Sequence, residues 1–202
     1  MRPAWLLLGA MLLAGCGSNP LLQMAASNYL PLAAGNTWTY SSPNGLTTTV
    51  VTVGNPQLQQ GHTAFAVSFV VNGGAPTTQY LYDNAGAVDT LDPTLGWIIW
   101  RRLPYVTGSV WNVPVSALNV SQTMTVSDTV KAMRVPAGNF GACYKLVAET
   151  DTYSGVSIGA GALTTTYAYT WAAPNVGDIQ HDSVDASGNE TIVDQLVSYH
   201  LP

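Results

Sequence analysis

Several groups of residues have the types and spacing that chemistry uses. Gly155-Val156-Ser157-Ile158-Gly159 has the Gly-x-Ser-x-Gly spacing of a nucleophile elbow, with carboxylates and histidines downstream in the order a serine hydrolase needs. An elbow works because a strand and a following helix hold the serine in a strained, exposed turn. Here Ala160-Gly161-Ala162-Leu163 leads into a Thr- and Tyr-rich strand instead, so Ser157 reads as part of a hairpin tip, and hydrolysis stands only as the alternative activity. Asp178, His181, Asp182, Asp185, Glu190 and Asp194 form an acidic concentration, but their spacing does not follow a calcium loop, and they read as a solvated hairpin rim. His62, His181 and His200 have no metal-ligand spacing, so no metal and no cofactor is expected. Cys143 lies beside Lys145, which could lower its pKa, yet an unpaired cysteine in a strand-like run is more commonly a small buried thiol. Trp97-Ile98-Ile99-Trp100, ending in Arg101-Arg102 and followed by Tyr105 and Trp111, is the densest aromatic segment. It reads either as a strand buried on both faces or as the wall of a groove. In the second case Trp97, Trp100 and Trp111 would meet an apolar ligand, with Arg101 and Arg102 at the mouth for an acidic headgroup.

Cys16 is different, because its neighbours specify its chemistry. Arg2 gives a positive start, residues 4–14 are almost wholly apolar, and Leu13-Ala14-Gly15 places small residues before the cysteine. This is the anatomy of a cleaved signal peptide. An apolar run of about 11 residues would reach only about 16 Å as a helix, roughly half the hydrocarbon thickness, so a transmembrane helix is excluded. Leu13-Ala14-Gly15-Cys16 resembles the lipobox of bacterial lipoproteins, which implies a lipid on the Cys16 sulfur and cleavage before that residue. Two or more acyl chains would anchor a soluble domain stably, where one would not. In a Gram-negative host, Gly17 rather than Asp after the cysteine implies passage to the outer membrane, with the domain facing the periplasm or the surface.

The elements that must carry these residues read as β. The 202-residue chain is 47% hydrophobic and only 8% charged, against about 25% charged in an ordinary soluble protein. Its net charge of −5 becomes −6 once Arg2 leaves with the leader, and the five remaining basic residues are too scattered to neutralise a run of phosphates. Nucleic-acid binding is therefore not expected. With Cys16 lipidated, Cys143 has no partner and no disulfide framework exists. Residues 1–15 read as signal peptide, 16–28 as a lipidated tether, and 29–202 as one domain.

Within that domain, β-rich runs alternate with turn signals: 37–41, 46–53, 62–71, 77–82, 86–91, 96–102, 120–134, 142–153, 162–171, 177–184 and 190–200. Phe65, Val67, Phe69 and Val71 make one period-two stripe, and Leu163, Thr165, Tyr167, Tyr169 and Trp171 make another; each is read as core-facing. Asn72-Gly73-Gly74, Asp83-Asn84-Ala85-Gly86 and Asp185-Ala186-Ser187-Gly188-Asn189 favour hairpins. The expected fold is all-β, an antiparallel curled sheet, with half-barrel, barrel and sandwich all open.

Three motifs, in order along the chain, resemble those of a group of uncharacterised bacterial lipoproteins with an all-β domain. They are Tyr29-Leu30-Pro31-Leu32 with Gly35-Asn36-Thr37-Trp38-Thr39-Tyr40; Val135-Pro136-Ala137-Gly138-Asn139-Phe140 with Cys143-Tyr144-Lys145-Leu146; and Trp171-Ala172-Ala173-Pro174-Asn175-Val176-Gly177, where Asn175 replaces a usual glycine. The resemblance implies a fold and an envelope address, and it carries no catalytic residues. The resulting expectation is a non-enzymatic envelope lipoprotein, held on the membrane by lipid on Cys16, that binds a lipid-like ligand or an envelope protein partner. A structural role in a surface assembly is a further alternative.

Overall fold

Alternating apolar and polar side chains make sheet surfaces with one face to bury, and here they pair into a single sheet. The computed structural model describes residues 29–155, 158 and 161–202. Its strands are β1 (Thr37–Ser41), β2 (Thr48–Gln59), β3 (His62–Val71), β4 (Thr77–Asp83), β5 (Ala87–Asp92), β6 (Gly96–Arg102), β7 (Val110–Val113), β8 (Val120–Val135), β9 (Gly138–Tyr153), β10 (Leu163–Ala173), β11 (Gly177–Val184) and β12 (Glu190–His200). The described residues contain no helix. Cys16 and Ser157 both lie outside them.

The strand order is β6-β5-β4-β3-β2-β1-β12-β11-β10-β9-β8-β7, and the paired neighbours are antiparallel. Two meanders, β1 to β6 and β7 to β12, are thus joined where β1 pairs with β12, and the mid-chain strands β6 and β7 form the edges. The sheet curls until these edges meet. The Trp111 indole N–H on β7 donates to the Trp100 carbonyl on β6 at 3.3 Å, although no ladder joins the two strands among the described residues. The product is a nearly closed antiparallel barrel, which leaves little exposed strand edge to template aggregation.

One element was not expected. β7 is four residues long, ends against Pro114 and carries Asn112 on its outer side, too little sequence for alternation to register. Most of the Phe65–Val71 stripe faces the core as expected: Val67 is buried, and Phe65 and Phe69 pack against the core, but Val71, at the end of β3, is exposed. The β10 stripe does not. Leu163 and Tyr167 are exposed and only Trp171 is buried, because Thr170, on the alternate face, is the residue that turns inward. Tyr169 and Trp171 instead receive the ammonium of Lys145, at 3.6 and 5.6 Å from their ring centroids, and Lys131 lies 4.3 Å from that of Trp171.

The three sequence motifs converge. Trp38 donates its indole N–H to the Val176 carbonyl at 2.7 Å, tying the first motif to the third. The buried Asn36 amide donates to the Pro31 carbonyl at 2.9 Å, fixing the segment that leads into β1. Asn175 has φ of +62°, a left-handed conformation that Asn tolerates better than most residues, which explains how it stands in for glycine. In the second motif the Ala137 N–H, at the β8–β9 turn, donates to the Leu196 carbonyl at 3.0 Å. Cys143 is fully buried there. Burial raises its pKa, with only partial opposition from a backbone hydrogen bond at Met133 and from Lys131. Lys145 is engaged elsewhere, with Glu190 at 2.8 Å.

Candidate functional site

The interior is not filled uniformly. One side holds a dense apolar cluster of Trp111, Val113, Met124, Val126, Leu146 and Ala172, with Tyr29 and Tyr105. The other side, lined from β1 to β4, β6, β10 and β11, holds a half-open cavity of about 330 Å³, at the small end of the range for ligand pockets. Its wall is largely apolar, from Trp38, Val51, Val53, Val67, Phe69 and Leu81, and Leu30 and Leu32 from the segment before β1 add to it.

Against this wall sit Trp100, Arg101, Asp178 and His181. Strict alternation would send Trp100 and Arg101 to opposite faces, and likewise Asp178 and His181, three positions apart. Bulges overturn both. β5 pairs Val88 with Arg101 and Asp89 with Ile99, leaving Trp100 as the extra residue of β6. β10 pairs Trp171 with Gln180 and Ala172 with Asp178, leaving Ile179 as the extra residue of β11. A bulge re-aims the side chains beside it, and here it delivers both members of each pair to one cavity.

Arg101 is 4% exposed. Its Nη2 donates to Asp178 Oδ2 at 3.1 Å. His181 places Nε2 3.7 Å from the same Asp178 oxygen and Nδ1 2.6 Å from Asp194 Oδ1, its cross-strand partner on β12. Tyr40 donates its hydroxyl to the Asp178 backbone carbonyl at 2.8 Å and packs against the His181 ring. Burial disfavours the Arg101 charge, but Asp178, together with Tyr105 and Tyr40, outweighs it and holds the guanidinium above its usual range. Burial likewise works against the Asp178 charge, and Arg101 and His181 overcome it, so that carboxyl is lowered. For His181, burial favours the neutral ring, yet hydrogen bonds and charge from Asp178 and Asp194 lift it to about 9. At neutral pH Arg101 and His181 are therefore both cations and Asp178 is a carboxylate. Among the described residues Asp178 Oδ1 is buried with no hydrogen-bond partner, whereas the Tyr105 hydroxyl lies beside the Arg101 guanidinium and each shifts the other's titration.

Of the residues singled out in the aromatic segment, Trp100 and Arg101 line this cavity. Trp97 instead packs against His62 and Tyr82 on the outer face, Arg102 is exposed, and Trp111 is buried in the filled side, its indole touching the Trp100 carbonyl. The acidic concentration is not a solvated rim throughout. Asp178 and Asp194 enter the cluster with His181, and Asp182 is buried, accepting from Trp171 at 3.2 Å and Gln180 at 2.8 Å. Only Asp185 and Glu190 behave as rim residues, the former capping its own hairpin through Ser187 and Asn189. Among the described residues no group of three His, Cys, Asp or Glu is arranged to hold a metal ion.

No protein-family model matches the chain, and no curated protein matches it. Solved structures do share its fold. One is a candidate lipoprotein from Parabacteroides distasonis, with TM-score 0.55, 16% identity and coverage of 87% of this chain and 99% of the other. Another is a candidate exported protein from Bacteroides fragilis with a YmcC-like fold, with TM-score 0.55, 13% identity and coverage of 87% and 100%. At these identities the likeness is one of fold.

Proposed function

We propose that this chain is an envelope lipoprotein, anchored through lipid on Cys16, whose barrel is a non-enzymatic module that binds a lipid-like ligand in its cavity. The observation that carries the reading is an apolar cavity with the buried Arg101–Asp178 ion pair on its wall. A barrel built only for support would be expected to fill this space, because interiors pack densely and voids destabilise. The address is supported by the signal-peptide anatomy before Cys16 and by the description of one similar structure as a candidate lipoprotein and of another as a candidate exported protein. With Gly17 after the cysteine, the destination in a Gram-negative host is the outer membrane.

Two measurements test the two halves of the proposal. Membrane fractionation of Cys16→Ser is expected to find the protein released; retention on membranes would contradict the anchor. Native mass spectrometry of the released chain, purified from its own envelope, is expected to show a bound small-molecule mass, and bare protein alone would count against ligand binding.

A further inference from the structure

The up-and-down topology puts six connections at one end of the barrel: 42–47, 72–76, 93–95, 114–119, 154–162 and 185–189. The segment that enters β1 lies at the other end, where Tyr29 packs against Tyr105 of the β6–β7 connection with ring centroids 5.3 Å apart. Along those six connections the sequence holds one charged residue, Asp185, and no aromatic residue. What they expose is aliphatic. Leu46, Leu95, Leu118 and Ile158 stand out from four different turns, and Val71 and Leu163 from strand ends beside them. Elsewhere among the described residues the exposed leucines and isoleucines are Leu58 and Ile192.

Polar groups in these turns bond to one another. Asn44 Oδ1 accepts from the Leu46 N–H at 3.0 Å and from the Ser42 hydroxyl at 2.8 Å, and that hydroxyl accepts from the Thr47 N–H at 2.9 Å. Asp92 Oδ1 accepts from the Thr94 and Leu95 N–H groups, each at 2.8 Å, and Asp185 is held by Ser187 and Asn189. The Ile158 N–H donates to the Leu118 carbonyl at 2.9 Å, which sets two connections side by side, and Leu95, Leu118 and Ile158 share one groove with no charged residue in its lining. Such an end fits a bilayer surface, where polar groups lose water and aliphatic side chains gain by burial. A protein interface is expected to centre on Trp, Tyr or Arg, and these turns hold none. They also hold no cation, so they give no preference for anionic lipid.

Chain length allows the contact. From Cys16 to Tyr29 the sequence spans up to about 45 Å when extended, whereas strands of about ten residues tilted by about 40° make a barrel only about 25 Å tall. Lipid on Cys16 can thus lie in the same bilayer that the far end of the barrel touches. We propose that the barrel rests on the bilayer by this aliphatic end, with Leu46, Leu95, Leu118 and Ile158 dipping into a neutral lipid surface. The inference goes beyond the ligand-binding reading and rests on the anchor reading for the nearness of a bilayer. Leucine tips alone make a weaker contact than even the marginal, reversible one of a single acyl chain, so the Cys16→Ser chain still leaves membranes on fractionation.

The test uses the lipidated mature chain in phosphatidylcholine vesicles, with an environment-sensitive fluorophore at Leu118→Cys or, in a second sample, at Val106→Cys in the β6–β7 connection of the opposite end. Cys143 is fully buried and escapes labelling. Quenching by spin-labelled lipid is expected at position 118 and not at position 106. Quenching at 106 as strong as at 118, or at neither position while the chain floats with the vesicles, would overturn the proposal. Adding Leu46→Asp and Leu95→Asp is expected to cut the quenching at 118 at least about threefold, through lost aliphatic burial; unchanged quenching would refute the aliphatic contact. Should the chain not float with the vesicles, the anchor reading fails on its own. The Leu118→Cys label on the Cys16→Ser chain at millimolar lipid then decides the surface, a blue shift supporting it and no shift overturning it.

Discussion

The two sides of the barrel interior are built from the same kind of strand and finished in opposite ways. On the β7 to β10 side Leu146 and Ala172 are fully buried and Val126 nearly so, in a cluster whose other members are almost all apolar. On the β1 to β6 side, Val51, Val53 and Val67 line a cavity, and an ion-pair cluster reaching from β6 through β11 to β12 stands against it. Packing physics favours the first arrangement wherever stability is the only demand. That difference is what the ligand-binding proposal rests on.

The contrast can be broken at several points. The largest effect is expected from Arg101→Met, which strands the Asp178 carboxylate in the interior and costs about 3–5 kcal/mol in urea unfolding. Combining it with Asp178→Leu should recover most of that loss. Next comes Leu146→Ala on the filled side, which opens a void where none exists and costs about 2–5 kcal/mol by the same measurement. Enlarging side chains separates the sides most cleanly: Ala172→Leu should cost about 1–3 kcal/mol, whereas Val51→Phe, with space to enter, should change stability by less than about 1 kcal/mol. Equal costs for these two would mean that the sides do not differ.

The ion-pair cluster also makes stability depend on pH. His181 is raised from 6.5 to about 9 in the folded protein, so its contribution is fully present below pH 6.5 and is lost as pH rises through 9. Asp178 is lowered from 3.8, so its contribution is present above pH 3.8 and is lost as pH falls through its folded value. The melting temperature should therefore be highest between these limits and decline from about pH 6.5 to about 9. His181→Gln should flatten that alkaline decline.

Much of the barrel is legible in the sequence. β1, β3, β6, β11 and β12 begin and end where their period-two runs do, since alternation and flanking turn residues report directly on pleat and hairpin. The Asp185-Ala186-Ser187-Gly188-Asn189 turn forms with Gly188 at φ +84°. Two kinds of information were not legible. Alternation tells that two faces differ without saying how far along a strand burial extends, and of the aromatic stripe on β10 only Trp171 joins the core while Leu163 and Tyr167 stay exposed. Bulges add one residue to a strand with no compositional mark, and the site depends on two of them. Trp100 and Arg101 were singled out as a pair with Arg102, whereas the bulge at Trp100 selects Arg101 alone. Asp178, His181 and Asp194 were noticed as acidic sequence, but nothing in their spacing announced that Ile179 would be the extra residue that turns Asp178 and His181 inward together.

The central claim is that the hollow side exists to be occupied. Native mass spectra of the Cys16→Ser chain and of the same chain carrying Val51→Phe, both purified from the native envelope, test it most directly. The account predicts a bound small-molecule mass on the first and bare protein for the second, with both folded to similar melting temperatures. An identical bound mass on both chains, or bare protein in both, would contradict it.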